Sequence, residues 1–223
     1  MQYVFDKNAK DNTLFIKDEN YNYLIKARRH KIGDKITFRN LEDNFIYIYN
    51  LSSIDKKSAI LTLETEEEKI LENDRKLHLA WCIVDPKKIY ENITSLNELG
   101  VFKISFIYSD FSQKNFKINF EKLEKVLINS SSQCGRSSII KIDTYKSIDE
   151  FIKEYPKSYI LDFSNQLIED KKDLIDVLIV GPEGGFSKRE RELFNKELLI
   201  GFKSNLILRS ETAIISASSK III

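Results

Sequence analysis

Hydrophobic residues follow two different spacings along this chain, and the change comes near residue 70. In the first part, β-branched and aromatic residues dominate three short segments that polar turns separate. These segments are ITFR at 36–39, NFIYIYN at 44–50 and SAILTLE at 58–64. They predict the strands of a small barrel or sandwich, and we expect one helix at about residues 20–29.

From residue 77 onward, apolar strands alternate with helical spacings. LHLAWCIV at 77–84 predicts a buried strand, and the apolar residues of 87–100 then recur at helical intervals up to Gly100, a typical helix-ending glycine. Strands at 101–109, 139–143 and 158–163 and helices at 120–128 and 148–155 continue the pattern. This alternation favours an α/β fold with a parallel sheet. The charged stretch 64–76 marks a boundary, which gives predicted domains 1–70 and 71–223.

Composition narrows the class of protein. The chain has 223 residues and is 42% hydrophobic and 31% charged, which is the composition of a globular protein. Its net charge is +1, so the protein as a whole has no electrostatic field that attracts nucleic acid. Its two cysteines and two histidines form no zinc-binding pattern. Without a signal-peptide core or a long apolar run, we expect a soluble cytoplasmic protein with no membrane partner.

A glycine-rich turn follows the strand predicted before residue 181. Three of the seven glycines lie in GPEGG at 181–185, where glycine permits a positive φ and a close approach of a ligand. Ser187 and Glu190 then fit the capping box Ser-x-x-Glu, which predicts a helix starting at Ser187. The segment has neither GxxxxGK[ST] nor GxGxxG, which excludes a P-loop and disfavours a dinucleotide-binding fold. Two interpretations of this segment remain. It is either a tight turn or a loop whose amides and carbonyls face a small ligand.

A second turn, LRSETA at 208–213, carries two charges directly after an apolar strand. Ser210 or Thr212 could cap the following helix, and Glu211 suits its positive end. These roles leave Arg209 unexplained, because a cation near a helix N-terminus is mildly unfavourable. Ligands bind at the carboxyl ends of parallel strands, so both turns are candidate ligand-binding segments.

Two further segments carry basic residues. QCGR at 133–136 could be an ordinary helix end, or Arg136 could bind a phosphate or a base through its planar guanidinium. KARRHK at 26–31 is the densest basic run of the chain. It is either a solvated face or, with the tyrosines of the same domain, an RNA contact.

These segments together resemble the signatures of the bacterial ribosomal RNA small subunit methyltransferase E family, in the order that the family has them. VLIVGPEGGFSKRE at 177–190 and LILRSETA at 206–213 resemble its two C-terminal signatures. The weaker matches are NELGV at 97–101, QCGR at 133–136, and Tyr23-Leu24, Ala27-Arg28-Arg29 and Ile32-Gly33-Asp34. Three positions depart from the family pattern, namely Tyr23 in place of His, Ser95 in place of Lys and Ser132 in place of Glu.

The resemblance implies a fold and an activity. The fold would be an N-terminal PUA-like β-barrel domain that binds RNA, and an α/β SPOUT domain whose parallel sheet ends in a deep trefoil knot. The activity would be S-adenosylmethionine-dependent methylation of N3 of one uridine in 16S ribosomal RNA, by a homodimer that needs no metal. The 16S RNA could be free or part of the 30S subunit.

The resemblance and the chemistry of the reaction also predict site residues. Arg209, with Arg136 as the alternative, would stabilise negative charge on the uracil. Glu211 would accept the N3 proton or orient Arg209. The predicted cofactor-binding positions are Val180, Gly181, Pro182, Glu183, Gly184, Gly185, Leu206, Leu208, Arg209, Ser210, Thr212 and Ala213. The predicted RNA-binding positions are Lys26, Arg28, Arg29, Lys31 and Arg136.

Two other functions remain compatible with the sequence. The chain could be a ribosome assembly factor that binds RNA without catalysis, or a SPOUT methyltransferase that acts on transfer RNA. Methyl incorporation into small subunits and into transfer RNA distinguishes all three.

Overall fold

The computed structural model describes residues 2–223, which form two compact units. The first unit contains the chain up to Glu72 together with Ile128–Ile139, and the second contains Asn73–Leu127 and Ile140–Ile223. The division into domains 1–70 and 71–223 stays a prediction. The structure adds that the segment Ile128–Ile139, which is distant in sequence, belongs with the first unit.

The first unit contains a mixed five-stranded sheet, curled into a half-barrel, in the order β1-β3-β4-β5-β2. Its strands are β1 (Val4–Phe5), β2 (Thr13–Lys17), β3 (Lys35–Arg39), β4 (Phe45–Ile54) and β5 (Ser58–Glu68). Alternate residues such as Leu14 and Ile16 face a core that also contains Phe38 and Tyr49. The three predicted strands are confirmed. However, β5 pairs with β4 as far as Glu68, so part of the predicted boundary segment is strand.

The helix predicted at about residues 20–29 begins at Asp18 and changes from an α-helix to a π-helix. Helix α1 (Asp18–Tyr21) runs into a π-helical turn (Asn22–Ala27). Tyr21 and Leu24 are buried there. Arg29 then adopts a φ of +60°, a conformation that a helix cannot continue. The basic run 26–31 therefore lies on a helix end and an irregular turn.

The second unit contains a six-stranded sheet in the order β11-β9-β10-β6-β7-β8, and every pairing in it is parallel. Its strands are β6 (His78–Cys82), β7 (Lys103–Ile107), β8 (Lys141–Tyr145), β9 (Tyr159–Leu161), β10 (Val177–Val180) and β11 (Leu199–Ile200). All five residues of β6 are buried, as expected for a strand covered on both faces. The predicted α/β fold with a parallel sheet is confirmed.

Six α-helices follow β6 along the chain, and local signals mark both ends of the first of them. They are α2 (Pro86–Glu98), α3 (Phe120–Cys134), α4 (Ile148–Glu154), α5 (Ile168–Lys171), α6 (Lys188–Leu193) and α7 (Ser210–Ile222). The Asp85 side chain accepts a hydrogen bond from the Lys87 amide at the start of α2, and Gly100, at a φ of +87°, follows its end. Among residues 2–223, no helix is long and apolar enough to cross a bilayer.

The strand order positions the candidate site. Strands β10, β6 and β7 are neighbours and run in the same direction. Their carboxyl ends therefore meet at one edge of the sheet, where the turns that follow β10 and β7 lie side by side.

Candidate functional site

A buried hydroxyl joins the two turns that the sequence singled out. Ser210, the first residue of α7, donates a hydrogen bond of 2.6 Å from Oγ to the carbonyl oxygen of Gly181. The same Oγ accepts a hydrogen bond of 3.0 Å from Nε1 of Trp81, at the carboxyl end of β6. The first residue of the glycine-rich turn and the first residue of α7 are thus held together.

This arrangement corrects the prediction that Ser210 or Thr212 caps α7. The N-cap position is Arg209, and no side chain makes a capping hydrogen bond there. The Ser210 hydroxyl does not cap because it is used between Trp81 and Gly181. Thr212 lies within the first turn of the helix and is exposed.

The glycine-rich turn needs its glycines for different reasons. Gly185 has a φ of +69°, which strains any residue with a Cβ, and its amide donates to the Pro182 carbonyl at 2.9 Å. A Cβ at Gly181 would lie 3.1 Å from Cζ of Phe186, whereas a Cβ at Gly184 would make only an ordinary contact. The backbone of the turn is therefore fixed at Gly185 and open at Gly184.

The predicted start of α6 is confirmed, and its capping carboxylate has a second role. Ser187 and Glu190 form a complete capping box. Glu190 is fully buried, and its Oε2 accepts from the Ser187 amide while its Oε1 accepts from the Asp110 amide, each at 2.8 Å. The turn after β7 is thereby fastened to the turn after β10.

Arg189 strengthens this connection from the solvent side. Its Nε and Nη2 donate to the two carboxylate oxygens of Asp110 at 3.0 and 2.9 Å, and its Nη1 donates to Asp149 at 2.9 Å. Hydrogen bonds from Arg189 and Ser187 hold the pKa of the Asp110 carboxyl below its usual value. Bidentate geometry makes this exposed pairing more specific than a single surface ion pair.

The start of α7 presents two charged side chains that lack partners. Arg209 is exposed, and within the part of the chain that the structure describes its side chain makes no hydrogen bond or ion pair. Oε2 of Glu211 is buried and has no hydrogen-bond partner among the described residues. A buried carboxylate oxygen without a donor is costly, so this atom is suited to a ligand that supplies one.

The other predicted cofactor positions differ in exposure. Glu183, Gly184 and Leu206 are exposed, Leu208 and Ala213 are half-buried, and Val180 and Pro182 are buried. Their cofactor-binding roles stay predictions.

Arg136 lies in the first unit, in a different environment from Arg209. It is buried, and its Nε pairs with Oε2 of Glu72 at 3.1 Å. The Tyr3 hydroxyl donates to the Arg136 carbonyl oxygen at 2.7 Å. The structure therefore gives Arg136 a packing and ion-pairing role in this unit, and its proposed catalytic and RNA-binding roles stay predictions.

The first unit also contains a cleft of about 390 Å³ with basic and aromatic walls. Arg28, His30 and Lys35 line it together with Tyr3 and Tyr23. The Arg28 guanidinium lies over the Tyr23 ring at 5.3 Å from its centroid, and its Nε donates to the Tyr23 hydroxyl at 3.0 Å. The remaining predicted RNA-binding residues of this unit, Lys26, Arg29 and Lys31, are exposed.

Sequence reasoning did not select several of these positions. Asp110 and Trp81 belong to no recognisable sequence motif. Their roles depend on Glu190 and Ser210, which lie 80 and 129 residues away along the chain. Lys35 is the first residue of β3, and nothing in the sequence points its side chain toward the cleft.

His78 is a strand residue, as the sequence indicated. It is buried in β6, where its Nε2 lies 2.8 Å from Oγ of Ser105 and its ring meets those of Phe151 and Tyr155 edge to face. Burial lowers the pKa of His78 to about 4. Among residues 2–223, no group of three or more His, Cys, Asp or Glu side chains could hold a metal ion.

Comparisons with known proteins match both units. A family model described as an RNA methyltransferase domain matches residues 71–222, and one described as an RNA methyltransferase PUA domain matches residues 16–64. A Helicobacter pylori protein named ribosomal RNA small subunit methyltransferase E is 37% identical over 222 residues, which cover 98% of each chain. This chain belongs to the ribosomal RNA small subunit methyltransferase E family.

Solved structures agree with this family membership. A methyltransferase from Legionella pneumophila, in complex with S-adenosylmethionine, superposes with a TM-score of 0.77 at 26% identity, covering 99% of this chain and 96% of that one. A family member from Neisseria gonorrhoeae, bound to S-adenosylmethionine, gives a TM-score of 0.78 at 18% identity, covering 98% and 95%. The predicted N-terminal PUA-like domain and the predicted SPOUT fold of the α/β domain are thereby confirmed. The trefoil knot stays a prediction.

Proposed function

We propose that this protein transfers a methyl group from S-adenosylmethionine to N3 of a specific uridine in 16S ribosomal RNA. The observation that carries the proposal is the Ser210 bridge between the two turns at the carboxyl edge of the sheet. This bridge holds the two segments together at that edge, in a chain of the small subunit methyltransferase E family.

The residues present suit this cofactor. The backbone of residues 181–185, which is exposed at Glu183 and Gly184, and that of Leu206 and Leu208 offer amides and carbonyls to the adenosine and methionine parts. Gly184 leaves the loop open to a close approach. When bound, S-adenosylmethionine supplies a methyl group that its sulfonium activates.

The charged residues at the start of α7 suit the acceptor. Uracil N3 carries a proton that must leave before the nitrogen can attack, and the resulting negative charge spreads to O2 and O4. Glu211 accepts this proton, and the unpaired guanidinium of Arg209 stabilises the anion. Within the described residues these two side chains form no ion pair with each other, which favours the proton-acceptor role for Glu211 over the orienting one. Arg136 remains the alternative cation.

The first unit provides a surface suited to RNA. Its cleft combines Arg28, His30 and Lys35 with tyrosine rings, and the exposed cations Lys26, Arg29 and Lys31 belong to the same unit. Cations bind phosphates, and aromatic rings stack on unpaired bases, which is how single-stranded RNA is commonly recognised. The net charge of +1 restricts this attraction to a local surface. We further propose that the protein acts as a homodimer in the cytoplasm.

The test is methyl transfer from labelled S-adenosylmethionine to three substrates, namely purified small ribosomal subunits, naked 16S RNA and transfer RNA. Incorporation into small subunits or 16S RNA, released as 3-methyluridine on nuclease digestion, supports the proposal. Incorporation into transfer RNA alone supports the second SPOUT activity instead. Binding to small subunits without incorporation into any substrate supports an assembly factor.

A further inference from the structure

The turn after β7 holds an aromatic ring in solvent between two buried residues. Phe111 is 55% exposed, whereas Ser109 and Ser112 on either side of Asp110 and Phe111 are 4% and 6% exposed. This exposure leaves the phenyl ring accessible to a binding partner, on a turn whose flanking serines are buried.

The turn that carries Phe111 is fixed on both sides of the ring. Oγ of Ser112 donates to the carbonyl oxygen of Ile83 at 2.9 Å and lies 2.9 Å from Oγ of Ser109. The Asp110 amide donates to the fully buried Glu190 at 2.8 Å. The position of Phe111 is therefore set by the same carboxylate that caps α6.

The ring borders the glycine-rich turn. A Cβ placed on Gly184 would lie 3.4 Å from Cβ and 3.5 Å from Cδ2 of Phe111, so the Phe111 side chain lies next to Gly184. Phe111 thus lies at the edge of the segment to which the proposed function assigns the cofactor, with most of the ring open to solvent.

We propose that Phe111 is the surface on which the uracil ring of the acceptor uridine stacks. Methyl transfer requires N3 to lie in line with the bond that breaks, so the plane of the base must be fixed. Unpaired RNA bases are commonly held by stacking on aromatic side chains. More than half of the Phe111 surface is open to an incoming base, since the residue is 55% exposed. This inference rests on the proposed function, since it concerns the substrate of the same site.

Four variants separate a stacking role from a merely apolar one. Phe111→Ala removes the side chain, Phe111→Leu keeps an apolar side chain without a ring, and Phe111→Tyr and Phe111→Trp keep a ring. For each full-length variant, kcat/KM for small subunits is measured together with the dissociation constant of S-adenosylmethionine by calorimetry. We expect the Ala and Leu variants to lose about 10-fold or more in kcat/KM, mainly through KM, and the Tyr and Trp variants to retain activity. The cofactor dissociation constant should stay within about twofold of wild type.

Two results overturn the inference while leaving the proposed function intact. One is wild-type kcat/KM in Phe111→Leu. The other is a loss that follows the cofactor dissociation constant, which places Phe111 against the cofactor instead. A wild-type protein that methylates none of the three RNA substrates overturns the proposed function itself, and the inference with it.

Discussion

At the residue scale, the candidate site depends on a few side chains that each serve two segments. Ser210 holds Trp81 and Gly181, and Glu190 holds the amides of Ser187 and Asp110. Ser210, Glu190 and Trp81 are buried, so the Trp81 indole N–H would lack a partner without the Ser210 hydroxyl. The geometry of the turns is therefore sensitive to single substitutions that change little volume.

Replacing Ser210 by alanine tests the bridge between the turns. The variant removes the partner of the buried Trp81 indole N–H and one hydrogen bond to the Gly181 carbonyl, which should lower the free energy of unfolding by ~2 kcal/mol. It should also weaken S-adenosylmethionine binding, because the turn that holds the cofactor loses its anchor. Denaturant titration and calorimetry measure the two effects. Ser216→Ala, on the same helix, is the control, and equal behaviour of the two variants would show that the bridge is unimportant.

Replacing Arg209 by alanine tests its assignment to catalysis. An unpaired, exposed guanidinium contributes little to folding, so stability should change by less than ~0.5 kcal/mol. Loss of a group that stabilises the developing anion should lower kcat by about 100-fold or more, with cofactor affinity retained. The exposed cation Lys196 provides the control variant, Lys196→Ala. A fall in cofactor affinity that accounts for the lost activity would move Arg209 from catalysis to cofactor binding.

Residue roles were predictable from sequence only where the partner is close along the chain. The capping box of Ser187 and Glu190 spans three residues and follows a local rule, so it was predicted correctly. The same kind of rule failed at Ser210, because its hydroxyl bonds to Gly181, 29 residues earlier. The hydrogen bond between Glu190 and the Asp110 amide joins residues 80 positions apart, and no motif near either residue predicts it.

At the scale of elements, burial in the parallel sheet favours the neutral form of His78. His78 lies in β6, the strand with every residue buried, among Ser105, Phe151 and Tyr155. Burial lowers its pKa to about 4, below the value near 6.5 expected in the unfolded chain. Between these two values the unfolded chain binds a proton that the folded protein does not.

This difference predicts a pH dependence of stability. The contribution of neutral His78 is complete above about pH 6.5 and is lost progressively as the pH falls toward about 4. From pH 7 to pH 5 it should lower the free energy of unfolding by ~2 kcal/mol. His78→Gln keeps a partner for Ser105 but does not titrate, so its stability should fall less over this range. His30→Gln, at the other histidine, is the control. Parallel curves for wild type and His78→Gln would contradict the assignment.

Elements were easier to predict than their arrangement. Apolar runs such as residues 77–84 identified strands because a strand buried on both faces has no polar side. The order β11-β9-β10-β6-β7-β8 depends on which strands pair, and no single strand encodes that choice. The π-helical turn Asn22–Ala27 and the membership of Ile128–Ile139 in the first unit likewise depend on tertiary packing.

At the scale of the whole molecule, the two units carry different parts of the proposed reaction. The first has the basic and aromatic cleft, and the second has the two joined turns and the charged start of α7. An overall charge of +1 makes RNA affinity a property of the local basic surface. Affinity for small subunits should therefore fall with salt according to the few phosphates that this surface contacts, while cofactor affinity should change little.

The most direct test of the proposed function uses the block that N3 methylation places on base pairing. Primer extension by reverse transcriptase is run on 16S RNA from a bacterium that lacks its own enzyme of this family, and from the same strain expressing this protein or its Arg209→Ala variant. We predict one strong stop at a single uridine with the wild-type protein, and none in the empty strain or with the variant. Identical stop patterns in the empty strain and in the strain expressing the wild-type protein would contradict the assigned substrate.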